Sequence, residues 1–173
     1  TKLGDEVEVK EAAHFSLETV GVFAHKLPGD ADSNIVTKCY HYFCEQMASE
    51  DKAVTPVAIT LYKNLPIGSG LGSSASSIVA AFAALNAFFD SPFDNDTLLT
   101  MMGELEGQIS GSVHYDNVAP CFLGGMTLMT GSPSPVTLSL PLNDQWYYAI
   151  LASVYQRQRQ EIFCLSRWIW LLH

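Results

Sequence analysis

Arginine is absent from the first 154 residues of this 173-residue chain, which hold six lysines against seventeen Asp and Glu. Over the whole length the formal charge is −9. General nucleic-acid binding is excluded, because phosphate neutralisation by cations supplies most of that affinity. A polybasic membrane anchor is excluded on the same ground. Long apolar runs are missing too: no stretch approaches the roughly 18 apolar residues of a spanning helix. The polar start TKLGDEVEVK does not read as a signal peptide. Cysteine is sparse. Cys39, Cys44, Cys121 and Cys164 lie far apart, with no CxxC pair for zinc and no dense disulfide framework. The five histidines include no HExxH. Free thiols in a reducing cytoplasm are the expectation.

What is present suits a core. The chain is 48% hydrophobic and only 16% charged, too apolar for disorder. A short strand is expected at Val7–Val9, and a polar stretch follows with Phe15, Leu17, Val20, Val22 and Phe23. Ser33-Asn34-Ile35 offers an N-cap for a helix to about Met47 whose apolar face is Ile35, Val36, Cys39, Tyr40 and Phe43. Val57–Tyr62 alternates as a strand. A helix buried on most sides is expected over Ala75–Phe89, and a second, capped by Asp94-Asn95-Asp96, over Thr97–Ile109. His114–Pro120 reads as a loop, Met126–Met129 as a strand, Ser132–Pro135 as a turn and Trp146–Leu151 as a strand. Strands and helices without strict βα alternation predict an α+β fold, a mixed sheet with packed helices.

Between the Val57–Tyr62 strand and the next helix runs Pro66-Ile67-Gly68-Ser69-Gly70-Leu71-Gly72-Ser73-Ser74-Ala75-Ser76. Its glycines permit positive φ and inward-turned N–H groups. The helix start behind adds free donors and a positive dipole end, which together favour an anion. Ser73 and Ser74 add hydroxyls that could reach a phosphate or a metal ion. The plain alternative is a glycine-rich turn that only joins strand to helix. No Lys lies in the loop, and the nearest, Lys63, precedes it, so the Walker pattern fails. Gly70, Gly72 and Ala75 formally satisfy GxGxxG/A, with Asp90 twenty residues beyond Gly70. Repeated βαβ units are not apparent, which weakens a dinucleotide reading.

The full run PIGSGLGSSAS resembles the ATP-binding loop of the GHMP kinases. NLPIGSGLGSSAS (Asn64–Ser76), MGELEGQISGSVHYDNVAPCFLGGM (Met102–Met126) and Asn34-Ile35-Val36 sharpen the resemblance to the homoserine kinases. It extends over residues 1–152, read as an N-terminal ATP-binding domain incomplete at its start. The resemblance implies that superfamily's N-terminal α+β domain, ATP with Mg2+, L-homoserine as phosphoryl acceptor in threonine biosynthesis, and a cytoplasmic enzyme that can form homodimers. It places ATP against Pro66–Ser76 and Asn34, and Mg2+ against Ser74 and Glu106.

Glu104 and Glu106 stand two apart on a helix, about 200° from each other, so at most one faces the loop. Their spacing alone does not choose between them; similarity to the family selects Glu106 and leaves Glu104 to a solvated face. On composition alone Asp116 and Asn117 read first as a polar turn, with His114 an ordinary surface or core histidine, and only second as a holder of a small polar substrate. The family's HxDN segment borders the amino-acid substrate, which implies the second. Several GHMP kinases use an Asp at this place, here Asp116, as base toward the attacking hydroxyl, while homoserine kinases are described as relying more on positioning and electrostatics.

Three parts of the family pattern are missing. They are an N-terminal PASSAN-type segment, the second domain with its GSGP-type loop, and an arginine to fork onto the homoserine carboxylate. From residue 153 the text departs abruptly, with three arginines and two of the three tryptophans in residues 153–173. A divergent tail from a shifted reading frame or a truncated gene product is the expectation for that stretch, ahead of a natural amphipathic tail. Two functions of different class therefore stand: a homoserine kinase, or a non-catalytic remnant that keeps the motifs without the chemistry.

Overall fold

The computed structural model describes residues 4–111, 113, 115–130 and 137–141. The first strand, β1 (Glu6–Glu11), is followed by β2 (Ser16–Val20), two single-turn 3-10 helices, and the helix α1 (Ile35–Ser49). Then come β3 (Val57–Tyr62), α2 (Ser73–Phe88), α3 (Asn95–Ser110), α4 (Val118–Leu123) and the hairpin strands β4 (Met126–Met129) and β5 (Thr137–Leu140). The fold is α+β, as the pattern predicts.

The main sheet has the order β1-β3-β2. β1 runs antiparallel to β3, with Glu6 opposite Tyr62 and Glu11 opposite Val57. β2 runs parallel to it, with Ser16 opposite Ala58 and Val20 opposite Tyr62. A parallel pair needs a long crossover, and α1 lies within it. The β3 alternation sends Val57, Ile59 and Leu61 into the core. That core also takes Val36 and Phe43 from α1, Ile78, Phe82 and Leu85 from α2, and Met102 and Leu105 from α3. α2 packs against β1, α1, α3 and α4 at once, which its many alanines permit by keeping the helix thin.

Local chemistry sets the boundaries. The Asn34 side chain accepts from the Val36 N–H at 3.0 Å, and Asp94 accepts from the Thr97 N–H at 2.8 Å; each is an N-cap bond. Gly111 ends α3 at φ +89°, a left-handed C-cap that a residue with a Cβ adopts poorly. Three elements depart from the sequence expectation. β2 forms in the stretch read as merely polar, α4 begins within the segment read as a loop and runs three residues past it, and β5 pairs with β4. The expected turn at Ser132–Pro135, the strand at Trp146–Leu151 and the divergent tail lie outside the described residues.

Candidate active site at the glycine loop

Gly68, Gly70 and Gly72 all have positive φ, at +73°, +74° and +68°, so the loop does what its glycines permit. The Ser69 hydroxyl donates to the Pro66 carbonyl at 2.8 Å and tightens the turn. Gly72 is the residue before α2 and offers no side chain to cap it. The first-turn amides of α2 are therefore left for a ligand, with the positive dipole end behind them. A cavity of about 330 Å³ opens there, a size usual for a small-molecule site. Of the predicted residues Ile67, Gly68, Ser69, Gly70, Gly72, Ser73 and Ser74 line it, whereas Pro66, Leu71, Ala75 and Ser76 do not form its wall. Ser76 is buried, and its hydroxyl accepts from the Asp5 N–H at 2.9 Å.

The two loop serines separate. The Ser73 hydroxyl donates to the Leu65 carbonyl at 3.3 Å, back across the loop's neck. The Ser74 hydroxyl donates to Glu106 Oε1 at 2.8 Å. Glu106 comes from α3 and is only 6% exposed, so the structure brings together two residues 32 positions apart. Glu104 points elsewhere. It accepts a hydrogen bond from the Tyr42 hydroxyl and is half-buried, which corrects its expected place on a solvated face.

Asn117 stands beside the loop: a Cβ built on Gly72 would lie 3.5 Å from its Oδ1. Asp116 is exposed next to it. His114 lies outside the described residues. Asn34 lines a neighbouring cavity of about 380 Å³, with Thr19 and Leu27 among its walls, and Leu27 is common to both cavities. Asp90 sits past the far end of α2, in a left-handed turn at φ +59°. An acid there is a whole helix away from the loop, and the dinucleotide reading falls with it.

Residues 34–125 match the sequence model of the GHMP kinases N terminal domain. That is more than half the chain. The chain belongs to the GHMP kinase family. Its structure is similar to that of a homoserine kinase from Cytophaga hutchinsonii, at 28% identity and a TM-score of 0.67 over 86% of this chain and 47% of that one. A D-glycero-D-manno-heptose 1-phosphate kinase from Bacteriodes thetaiotaomicron aligns at 17% identity and a TM-score of 0.59, over 79% of this chain and 47% of that one. The Streptococcus pneumoniae phosphomevalonate kinase in complex with phosphomevalonate and AMPPNP aligns at 16% identity and a TM-score of 0.56, over 70% and 38%. These last two likenesses concern the fold. The chain spans about half the length of the homoserine kinase it matches.

The GHMP segment after α3 is held by a glycine. A Cβ at Gly103 would lie 2.1 Å from Tyr115 Cε1 and 2.6 Å from Cδ1, so the ring occupies the space a side chain would need. Gly103→Ala should displace the ring and the adjoining Asp116 and Asn117. Overpacking of this kind costs about 1–3 kcal/mol, or a melting midpoint lowered by roughly 2–12 °C. An unchanged midpoint in a thermal melt would place the ring elsewhere.

Burial, and after it the hydrogen bond to Glu104, holds the Tyr42 phenol above its ordinary value. The fold thus favours the neutral phenol. That contribution is complete below the free-tyrosine value of about 10 and is lost as pH rises beyond it. Tyr42→Phe should flatten part of the alkaline fall in unfolding free energy. An identical alkaline slope in the variant would refute this.

Proposed function

We propose that this GHMP domain is the nucleotide-binding part of a homoserine kinase that transfers the γ-phosphoryl of Mg·ATP to the hydroxyl of L-homoserine, in the cytoplasm. The observation that carries the reading is the Ser74–Glu106 pair at the mouth of a glycine loop. The likeness at 28% identity to a homoserine kinase favours that acceptor, and the AMPPNP complex of a fold relative favours ATP as donor.

The residues fit magnesium by the chemistry of their donors. A carboxylate and a hydroxyl are hard oxygen ligands, and Mg2+ commonly takes one or two carboxylates with phosphate oxygens and water completing its shell. Among the described residues no group of three His, Cys, Asp or Glu forms a self-sufficient metal cage, consistent with an ion that arrives with its nucleotide. When bound, Mg2+ supplies charge neutralisation on the transferring phosphate.

The loop amides and the α2 start would hold the phosphates, and Asn34 would border the rest of the nucleotide in the neighbouring cavity. Asn117, with His114, would orient the homoserine hydroxyl toward phosphorus. In the transfer, the hydroxyl oxygen bonds to the γ-phosphorus as the bridging P–O bond to the β-phosphate breaks. Asp116 takes the hydroxyl proton, and ADP leaves with O-phospho-L-homoserine. Holding these groups in line supplies most of the acceleration in a loose phosphoryl-transfer step.

Binding without turnover is the second reading, favoured by the absence of any arginine in the first 154 residues to take the substrate carboxylate. Calorimetric titration with Mg·ATP, followed by a coupled ADP-release assay with homoserine and with mevalonate, tests both. Binding with slow, homoserine-dependent ADP release is expected, well below the roughly 1–100 s⁻¹ of typical kinases. Binding alone supports the second reading. Preference for mevalonate, or no binding, overturns the proposal.

A further inference from the structure

Beneath the glycine loop lies a buried ionic cluster with no part in the phosphate and metal roles above. Asp5, just before β1, and Lys63, just after β3, form an ion pair with side chains 0% and 2% exposed. Asp5 Oδ1 accepts from the N–H groups of Asn64 and Leu65, both at 2.9 Å. Its Oδ2 accepts from the Ser77 hydroxyl at 2.7 Å and from the Lys63 ammonium. Lys63 Nζ also donates to the Ser73 carbonyl at 2.9 Å and to Ser77 Oγ at 3.0 Å.

A lysine next to a phosphate loop invites the role of a phosphate-binding cation. An ammonium has three protons, and here all three have protein acceptors. Lys63 therefore stands in the cavity wall while its charge is committed to Asp5, Ser73 and Ser77. The partners of the pair fall on the two sides of the loop. Asn64 and Leu65 are where the chain enters it, and Ser73 and Ser77 are in the first turns of α2 where it leaves. An apolar pair of equal volume would fill the space without crossing it, since only polar atoms can satisfy two N–H groups on one side and a carbonyl on the other.

We propose that Asp5 and Lys63 are positioning residues: their ion pair ties the two ends of the glycine loop together and presets the spacing at which its amides receive a phosphate. This rests on the nucleotide reading of the loop. A cradle set before the ligand arrives saves the ordering cost of binding.

The test is the double variant Asp5→Asn/Lys63→Met in the full chain. Both charges leave together, which for buried pairs is often close to neutral for stability. The amide of Asn still accepts from Asn64 and Leu65, so what is cut is the charge pair and the Lys63 bonds to Ser73 and Ser77 across the loop. Amide hydrogen exchange of residues 64–77 should rise about fivefold or more, the effect of one lost hydrogen bond, while α1 and α3 exchange as before. The dissociation constant for Mg·ATP should rise by a similar factor at an unchanged melting midpoint. Should the double variant not fold, Ser77→Ala removes one strut alone and should shift loop exchange in the same direction. Loop exchange equal to that of the parent, or raised evenly over the domain, overturns the proposal. Raised loop exchange together with a parent chain that does not bind Mg·ATP keeps the clamp and overturns the nucleotide reading.

Discussion

Asp5→Ala is expected to cost the fold about 3–5 kcal/mol, the usual penalty for removing one partner of a buried ion pair. The Lys63 ammonium would remain in a site 2% exposed with its counter-ion gone. The N–H groups of Asn64 and Leu65 would lose their acceptor in the same step. Domains of ordinary stability have about 5–15 kcal/mol to lose, so the variant should stand near the edge of folding. Urea unfolding of parent and variant measures it. Asp5→Asn should lose less than Asp5→Ala, because an amide oxygen still serves the two backbone donors. A loss under about 1 kcal/mol for Asp5→Ala would mean that the pair does not hold the loop against the sheet.

Glu106→Gln should weaken Mg·ATP by about 100-fold or more, beyond the 10–100-fold that follows loss of a group which merely supports a ligand. The glutamine keeps the shape and can still accept from the Ser74 hydroxyl, so the fold should survive. What it lacks is the negative charge that a divalent ion needs. Glu104→Gln should leave the affinity nearly unchanged, since Glu104 is engaged with Tyr42. Titration of both variants with Mg·ATP decides the matter. Equal losses would mean that α3 presents its acid through the other face, and the metal assignment would be withdrawn.

How far the sequence could be read depended on the range of the interaction. The β3 alternation, the Asn34 and Asp94 caps and the glycine loop are signals contained in a few neighbouring residues, and each element appears where its pattern points. β2 (SLETV) was illegible because its neighbour supplies most of what makes it a strand: it pairs with β3 some forty residues on, and only Leu17 shows an inward side chain of any size. α4 hides behind Pro120 and an Asn-Val start, chemistry that equally marks a turn. The meeting of Ser74 with Glu106 followed from the family resemblance and not from spacing. Asp5 and Lys63 carried no local signal at all. They are separated by 58 positions, and a lysine at a strand end is ordinarily a surface residue.

The order of the main sheet also bears on when the site comes into being. Asp5 lies just before β1, yet its partners lie at Asn64, Leu65 and Ser77, and among the described strands β1 joins the sheet only through β3. The loop therefore reaches its final shape only after the Asp5 segment has docked across more than fifty residues. Such distant closures are slow steps in a folding reaction. During synthesis the β1–β3 pairing must wait until β3 has left the ribosome. Acquisition of nucleotide affinity should thus trail the formation of the helices in a refolding experiment, making ligand binding a clock for the last event rather than the first.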